Sequence, residues 1–172
     1  MREAVPAATR LIIALNANQA SDAQEISGAA MSAARKFGFV PEIALLTKAA
    51  DIQLALRSGG ASAMILYGLS QPSSPIKAGE VIALALQGGV PTFVDAVETL
   101  AVGGLMCYEC DWDNQLQRTA AQLDKVLRGV NPAEIPFELP TRYWLAVNLK
   151  TARALGLVLP QVLLARADQL IE

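Results

Sequence analysis

Histidine is absent from this 172-residue sequence. Because histidine is the usual general base near neutral pH and the commonest metal ligand, its absence excludes Ser-His-Asp catalysis, Cys-His catalysis and most zinc sites. Charged residues are scarce at 17%, and the 14 basic and 16 acidic residues leave a net charge of −2. A nucleic-acid-binding surface needs a basic excess, so we expect no nucleic-acid partner. These absences favour a binding protein over an enzyme, with no metal and no cofactor.

Long apolar runs are also lacking. The longest uncharged stretch, residues 58–76, contains prolines and several serines, and the apolar run 11–15 is too short for the core of a signal peptide. We therefore expect a chain without an export signal that stays where it is made. Hydrophobic residues still make up 53% of the sequence, which is enough for a chain of this length to bury the core of one domain.

Short apolar segments alternate with helix-forming segments over the first hundred residues. Strands are predicted at 10–16, 41–46, 63–67 and 91–94, with helices at 26–37, 51–57 and 77–87 between them. Strands that are apolar throughout and joined by helices indicate a parallel sheet covered on both faces. The fold class predicted is therefore α/β, with three layers (α/β/α) and a mainly parallel sheet.

The remainder of the chain is less regular. We predict a strand at 105–108, a helix at 113–128, a proline-bounded connector at 131–136, a strand at 143–148 and a helix at 149–155. A last helix is predicted to start at Pro160 and to run to the acidic end of the chain. The domain division predicted is a parallel α/β lobe over 1–102 and a C-terminal segment over 103–172, which packs on that lobe or on a partner.

Polar side chains follow several of the predicted strands. Small ligands bind at the carboxyl ends of the strands in parallel α/β sheets. Here those ends carry Asn16, Asn18, residues 67–71 and Asp95.

The C-terminal part of the sequence resembles a known family. The resemblance rests on Gly103 to Met106, Tyr108, Arg118, Ala120, Asp124, Lys125, Leu127, residues 131–136 and 138–141, residues 148–157, Pro160, residues 163–168 and residues 171–172. It is looser from Val5 to Val94. The chain resembles the second half of ABC-transporter substrate-binding proteins of the tryptophan/tyrosine-uptake type, which have the type I periplasmic-binding-protein fold. The first lobe of that family is not matched, and Cys107 and Glu109 stand where the family usually has serine and glycine.

The resemblance implies a non-catalytic protein that binds a small solute, such as an aromatic or branched amino acid, and delivers it to an ABC permease. It also implies a periplasmic location. Because no export signal is predicted, an engineered truncation, a gene fragment and a cytoplasmic remnant all stay open.

Several residues are candidates for holding that solute. Ser21, with Asn18 beside it, stands where a helix N-terminus would hold a carboxylate, Asp95 could pair with an ammonium group, and Tyr108 could stack on an aromatic ring. Each has a structural alternative: Ser21 caps the first helix in a Ser21-x-x-Gln24 box, Asp95 caps a helix over 96–100, and the tyrosines are half-buried packing residues. The full set of predicted ligand-binding residues is Asn18, Ser21, Tyr67, Gln71, Asp95 and Tyr108.

Two alternatives to solute binding follow from other features. The helix 113–128 has an apolar face that would be left without a sheet to cover, which predicts a self-associating homodimer without a transport role. That face consists of Leu116, Ala120, Leu123 and Leu127. The pair Cys107 and Cys110 just before a helix could form a dithiol redox site, a local disulfide or half a metal site, although an incidental pair is favoured.

Overall fold

The computed structural model describes residues 1–57, 60–70 and 74–172, without the side chains of residues 19–25, 61 and 62. Its strands are β1 (Arg10–Asn16), β2 (Val40–Leu46), β3 (Ala61–Tyr67), β4 (Thr92–Val94), β5 (Met106–Cys110), β6 (Tyr143–Asn148) and β7 (Gln169–Ile171). Its α-helices are α1 (Ala20–Lys36), α2 (Ile52–Arg57), α3 (Ala78–Gln87), α4 (Trp112–Leu127), α5 (Leu149–Ala154) and α6 (Gln161–Ala165). None of these described helices is both long and apolar enough to cross a membrane.

Within the described residues, seven strands form one sheet in the order β2-β1-β3-β4-β5-β6-β7. The pairs β1–β2, β1–β3, β3–β4, β4–β5 and β6–β7 are all parallel. Parallel neighbours need crossover connections. Helices α1, α2 and α3 supply them from β1 to β4, and α5 and α6 lie between β6 and β7. The predicted α/β class with a mainly parallel sheet is confirmed.

Strand β1 lies between β2 and β3 and is apolar because both of its faces are covered. Ile13 pairs with Ile43 on one side and Ile65 on the other, and Ile13 itself is 1% exposed. Every residue from Leu11 to Asn16 is buried. Such continuous burial explains why the period-2 alternation of a half-exposed strand is missing from this segment.

Two compact units are present. The first comprises Met1–Tyr108 and Leu145–Glu172, and the second comprises Glu109–Trp144. The core of the first unit combines early residues such as Leu11 with late residues such as Val147 and Leu163. These bounds differ from the predicted division at residue 102, because residues 103–108 and 145–172 cluster with the first part of the chain.

The second unit is organised around α4. Asp111 is the N-cap of this helix, since its Oδ1 accepts a hydrogen bond of 2.9 Å from the backbone N–H of Asn114. The N–H of Asp111 donates in turn to the carbonyl of Arg142 at 3.0 Å, and the Arg142 guanidinium lies 3.6 Å from the Asp111 carboxylate. One residue therefore caps the helix and also ties it to the end of the connector that follows.

The prediction that Ser21 caps the first helix is wrong. A 3-10 helix over Ala17–Gln19 leads directly into α1, which begins at Ala20 rather than at residue 26. Ser21 therefore lies within the first helical turn and not at the cap position. Its side chain is outside the described residues.

The predicted helix from Pro160 to the end of the chain is also wrong in part. Helix α6 ends at Ala165, and Gln169–Ile171 forms β7 beside β6. Asp168 anchors this pairing, because its N–H donates to the Leu145 carbonyl and its carboxylate accepts from the Leu145 N–H, both at 2.8 Å. Strand pairing between residues this distant in sequence overrides the weak local helix preference of a three-residue segment.

Cys107 and Cys110 lie just before α4 as expected, and both belong to β5, which ends at Cys110. Residues three apart on a strand point to opposite faces, with Cα atoms about 10 Å apart, whereas a disulfide needs less than about 7 Å. Neither Cys107 nor Cys110 is part of a disulfide in the described residues. A dithiol redox site or local disulfide is incompatible with this strand geometry.

Candidate functional site

The ends of β3 and β4 are joined by Asp95, the first residue after β4. Its Oδ2 accepts a hydrogen bond from the backbone N–H of Gly68 at 2.7 Å, and its Oδ1 accepts one from the Ser70 hydroxyl at 2.7 Å. An ionised carboxylate offers about four lone-pair sites, so each oxygen keeps acceptor capacity beyond these two bonds. The side chain is thus held in place while part of its acceptor capacity stays available.

The backbone conformation of Gly68 allows its N–H to reach the Asp95 carboxylate. Its φ of +70° lies in the left-handed region that glycine adopts without steric penalty, so the chain turns sharply after Tyr67 and directs the Gly68 N–H toward Asp95. The alternative prediction, that Asp95 caps a helix over 96–100, is wrong. The helix there is a 3-10 helix over Val97–Val102 whose N-cap is Ala96, without a side-chain cap.

A second set of contacts connects the end of β1 to the loop after β3. Asn16 is 4% exposed; its Oδ1 accepts from the Asn18 N–H at 3.0 Å, and its Nδ2 lies 3.4 Å from the Ser74 hydroxyl. The Ser74 hydroxyl donates to the Ile76 carbonyl at 2.9 Å. Asn16 therefore fixes the backbone at Asn18 and also contacts the loop that carries Ser74.

Two tyrosines lie at the same ends of the strands. Tyr67 pairs in register with Leu15 and is 46% exposed. Tyr108 directly follows Cys107, which pairs with Val94 at the end of β4, and is 64% exposed. With roughly half or more of their surface exposed, both rings have area that a ligand could cover.

The structure thus brings Asn18, Tyr67 and Asp95 to the carboxyl ends of three adjoining strands. Gln71 lies outside the described residues, as does the side chain of Ser21. Four residues that were not among the predicted binding residues contribute the local framework: Asn16, Gly68, Ser70 and Ser74. The sequence had already placed Asn16, Gly68 and Ser70 at the carboxyl ends of strands, where small ligands bind in parallel sheets, but had not singled them out as binding residues. Ser74 lies farther along the loop after β3 and had no such signal.

Metal binding requires a cluster of suitable ligands. Over the part of the chain that the structure describes, no three histidine, cysteine, aspartate or glutamate side chains are grouped so as to hold a metal ion.

Comparison with known proteins gives a consistent assignment of fold. A family model described as ABC transporter substrate binding protein matches residues 1–171. A conserved domain protein from Vibrio cholerae aligns with a TM-score of 0.80 at 22% identity over 98% of this chain and 57% of its own. An ABC domain from Streptococcus pneumonia, solved in complex with L-Trp, aligns with a TM-score of 0.81 at 19% identity over 99% of this chain and 57% of its own.

A third structural neighbour is a substrate binding protein with adhesive properties from Clostridium difficile, in a ligand-free, open structure. It aligns with a TM-score of 0.73 at 16% identity over 98% of this chain and 56% of its own. At these identities the likeness establishes the fold. The chain spans little more than half the length of each of these neighbours. No curated protein sequence matches it.

Proposed function

Since the chain belongs to the ABC transporter substrate binding protein family, we propose that it is a solute-binding component of an import system. In this proposal the solute binds at the carboxyl ends of β1, β3 and β4 and is released unchanged, so the protein is not an enzyme. Family membership supports the solute-binding role. The proposed position of the site rests on the Asp95 carboxylate, which hydrogen bonds hold at the ends of β3 and β4.

The proposed ligand is an amino acid with an aromatic or branched side chain. Asp95 is held by Gly68 and Ser70 and supplies a negative charge that suits a ligand ammonium group. Tyr67 and Tyr108 supply exposed rings for an aromatic side chain. The Streptococcus neighbour crystallised with L-Trp supports this class of ligand. Asn18, Ser21 and Gln71 are proposed to bind the remaining polar groups of the solute.

Thermal unfolding against a panel of amino acids tests this proposal. Ligand at 100 times its Kd should stabilise the folded state by about 2.7 kcal/mol, which raises the Tm of a chain of this size by a few degrees. The panel should include tryptamine, which keeps the ammonium group, and indole-3-propionate, which keeps the carboxylate. If Asp95 binds the ammonium group, tryptamine should bind more tightly than indole-3-propionate.

A pair of variants separates binding from a general loss of charge. Asp95→Asn removes the charge at the site and should abolish the ligand-induced Tm shift. Glu98→Gln makes the same chemical change on an exposed side chain of the neighbouring 3-10 helix and should leave the shift intact. An equal shift in both variants would contradict the role of Asp95, and the absence of any shift in the unmodified chain would contradict solute binding.

Partners and location follow as further parts of the same proposal. Members of this family are normally periplasmic, and an ABC permease is the proposed acceptor of the solute. Self-association into a homodimer is proposed as well, because the apolar side chains Leu116, Leu123 and Leu127 of α4 are largely exposed.

A further inference from the structure

Asn16 is a polar side chain at the end of a buried apolar strand. Residues 11–15 of β1 are all apolar, and Asn16 is buried with them at 4% exposed. A buried amide costs free energy unless its donor and acceptor groups have partners. The partners of this side chain are Asn18, just after β1, and Ser74, in the loop after β3. The Asn16 amide therefore connects two segments that follow different strands.

The direction of each bond fixes how the Asn16 amide is oriented. The backbone N–H of Asn18 can only donate, so the Asn16 atom that lies 3.0 Å from it is the carbonyl oxygen Oδ1. The amino group Nδ2 then faces the Ser74 hydroxyl at 3.4 Å. That hydroxyl donates its hydrogen to the Ile76 carbonyl at 2.9 Å and accepts from Nδ2. One orientation of the amide satisfies both neighbours, whereas an apolar side chain would satisfy neither.

The loop after β3 is thus attached to the ends of the strands at two places. Asp95 holds the start of the loop through the two hydrogen bonds described above, and Asn16 contacts it at Ser74. Asn18, whose backbone N–H is bound by Asn16, is exposed and is one of the residues proposed to bind the solute. The position of Asn18 relative to this loop therefore depends on both ends of the Asn16 amide.

We propose that Asn16 is a positioning residue of the solute site, which sets the place of Asn18 relative to the loop after β3 without touching the solute. This inference rests on the proposed function, because Asn18 must bind the solute for the role to exist. The alternative role is that of a buried cap that contributes only to stability, as Asn148 does at the end of β6. Asn148 is also 4% exposed, and it likewise uses Oδ1 for a backbone N–H and Nδ2 for a second partner. Asn148 is therefore the matched control.

Isothermal titration calorimetry with L-tryptophan, or with L-leucine if that binds more tightly, separates the two roles. Asn16→Ala and Asn148→Ala should both lower the Tm, but only Asn16→Ala should weaken binding, by roughly fivefold or more. Asn18→Ala should weaken binding as well. Adding Asn16→Ala to it should cause little further loss, because the side chain that Asn16 positions is then already absent. Ser74→Ala is a milder change that should weaken binding in the same direction, and it decides the question if Asn16→Ala does not fold.

Amide hydrogen exchange tests the contact without any ligand. The Asn18 amide should exchange faster in Asn16→Ala and at the unmodified rate in Asn148→Ala, because only the first variant removes its acceptor. An unchanged Asn18 amide in Asn16→Ala would overturn the positioning role. Unchanged binding in Asn16→Ala, equal weakening in Asn148→Ala, or additive losses in the double variant would also overturn it, and all of these results would leave the proposed function standing. An unmodified chain that binds neither amino acid would overturn both.

Discussion

Asp95 accepts a hydrogen bond of 2.7 Å from the backbone N–H of Gly68, and this contact joins the ends of two adjacent parallel strands. The Ser70 hydroxyl donates to the second carboxylate oxygen at the same distance. The turn after β3 is therefore shaped around one acidic side chain. In the proposed binding site the Asp95 carboxylate would already be oriented before the solute binds, which would lower the entropy cost of binding.

Replacing Asp95 should affect stability and binding differently according to the substitution. Asp95→Ala leaves the Gly68 N–H and the Ser70 hydroxyl without their acceptor and should lower the free energy of unfolding by about 1–3 kcal/mol. Asp95→Asn keeps one oxygen for the Gly68 N–H and an amide that can donate to the Ser70 oxygen, so its cost should be smaller. Urea unfolding measures both. Equal losses in the two variants would show that the charge, rather than the hydrogen bonds, stabilises the turn.

Asn148 should be among the polar residues whose loss costs most stability. It is 4% exposed; its Nδ2 donates to the Leu100 carbonyl at 2.7 Å, and its Oδ1 caps α5 by accepting from the Thr151 N–H at 2.9 Å. Asn148→Ala removes a cap and one of the two hydrogen bonds that the Leu100 carbonyl accepts, the other coming from the Gly103 N–H at 3.1 Å. The free energy of unfolding should therefore fall by about 1–3 kcal/mol.

Asn131 provides the matched control for that experiment. It is exposed and caps a 3-10 helix over Pro132–Glu134 through a bond of 3.1 Å from the Ala133 N–H. Asn131→Ala should cost only about 0.5–1 kcal/mol, because water can replace the lost acceptor. Denaturant unfolding of both variants gives the comparison. Similar losses would mean that burial of Asn148 adds nothing to its capping role.

The carboxyl group of Asp51 should titrate below its ordinary range. The Thr47 hydroxyl, then the backbone N–H groups of Thr47 and Lys48, donate to its Oδ2 and lower the pKa of Asp51 from the ordinary value of 3.8. A lowered pKa in the folded state means that the ionised carboxylate stabilises the fold above pH 3.8, and this stabilisation is lost as the pH falls through the folded-state pKa.

Carbon-13 NMR titration of Asp51 measures this effect directly. Thr47→Val removes the largest cause of the shift, so the titration midpoint of Asp51 should rise toward 3.8. Thr119→Val removes a hydroxyl on α4 that bonds to the Gln115 carbonyl instead, and should leave the midpoint unchanged. A midpoint that does not move in Thr47→Val would contradict the assigned cause.

The two cysteines should behave independently under oxidising conditions. Because Cys107 and Cys110 point to opposite faces of β5, treatment with oxidised glutathione should form no disulfide between them. Cys107 is 1% exposed, so Cys107→Ser should cost about 1–3 kcal/mol, whereas Cys110→Ser, at a half-buried position, should cost less. Intact mass spectrometry and urea unfolding make these measurements. An internal disulfide in the oxidised chain would refute the strand geometry.

The sequence was sufficient to predict elements whose residues carry their own signal. Strands β1 and β6 have the predicted bounds, because each is a short apolar run between polar residues whose length of six or seven residues fits a buried strand better than a helix. Helix α4 ends next to Gly129 as expected, since glycine there adopts a φ of +93°. The parallel α/β class followed from the order of these elements, and the family resemblance from the C-terminal residues.

Only the tertiary structure decided which distant groups meet. The partners of Asp95 lie 25 and 27 residues earlier in the chain, and the partners of Asn148 include a carbonyl 48 residues away. Gln169–Ile171 is a strand because β6 offers it an edge. An acidic side chain after a strand can cap a helix, bind a ligand or hydrogen-bond to a neighbouring turn, and the local sequence does not distinguish these three roles. Which role it takes depends on which N–H groups the folded sheet brings within about 3 Å of the carboxylate oxygens, and local sequence patterns do not contain those distances.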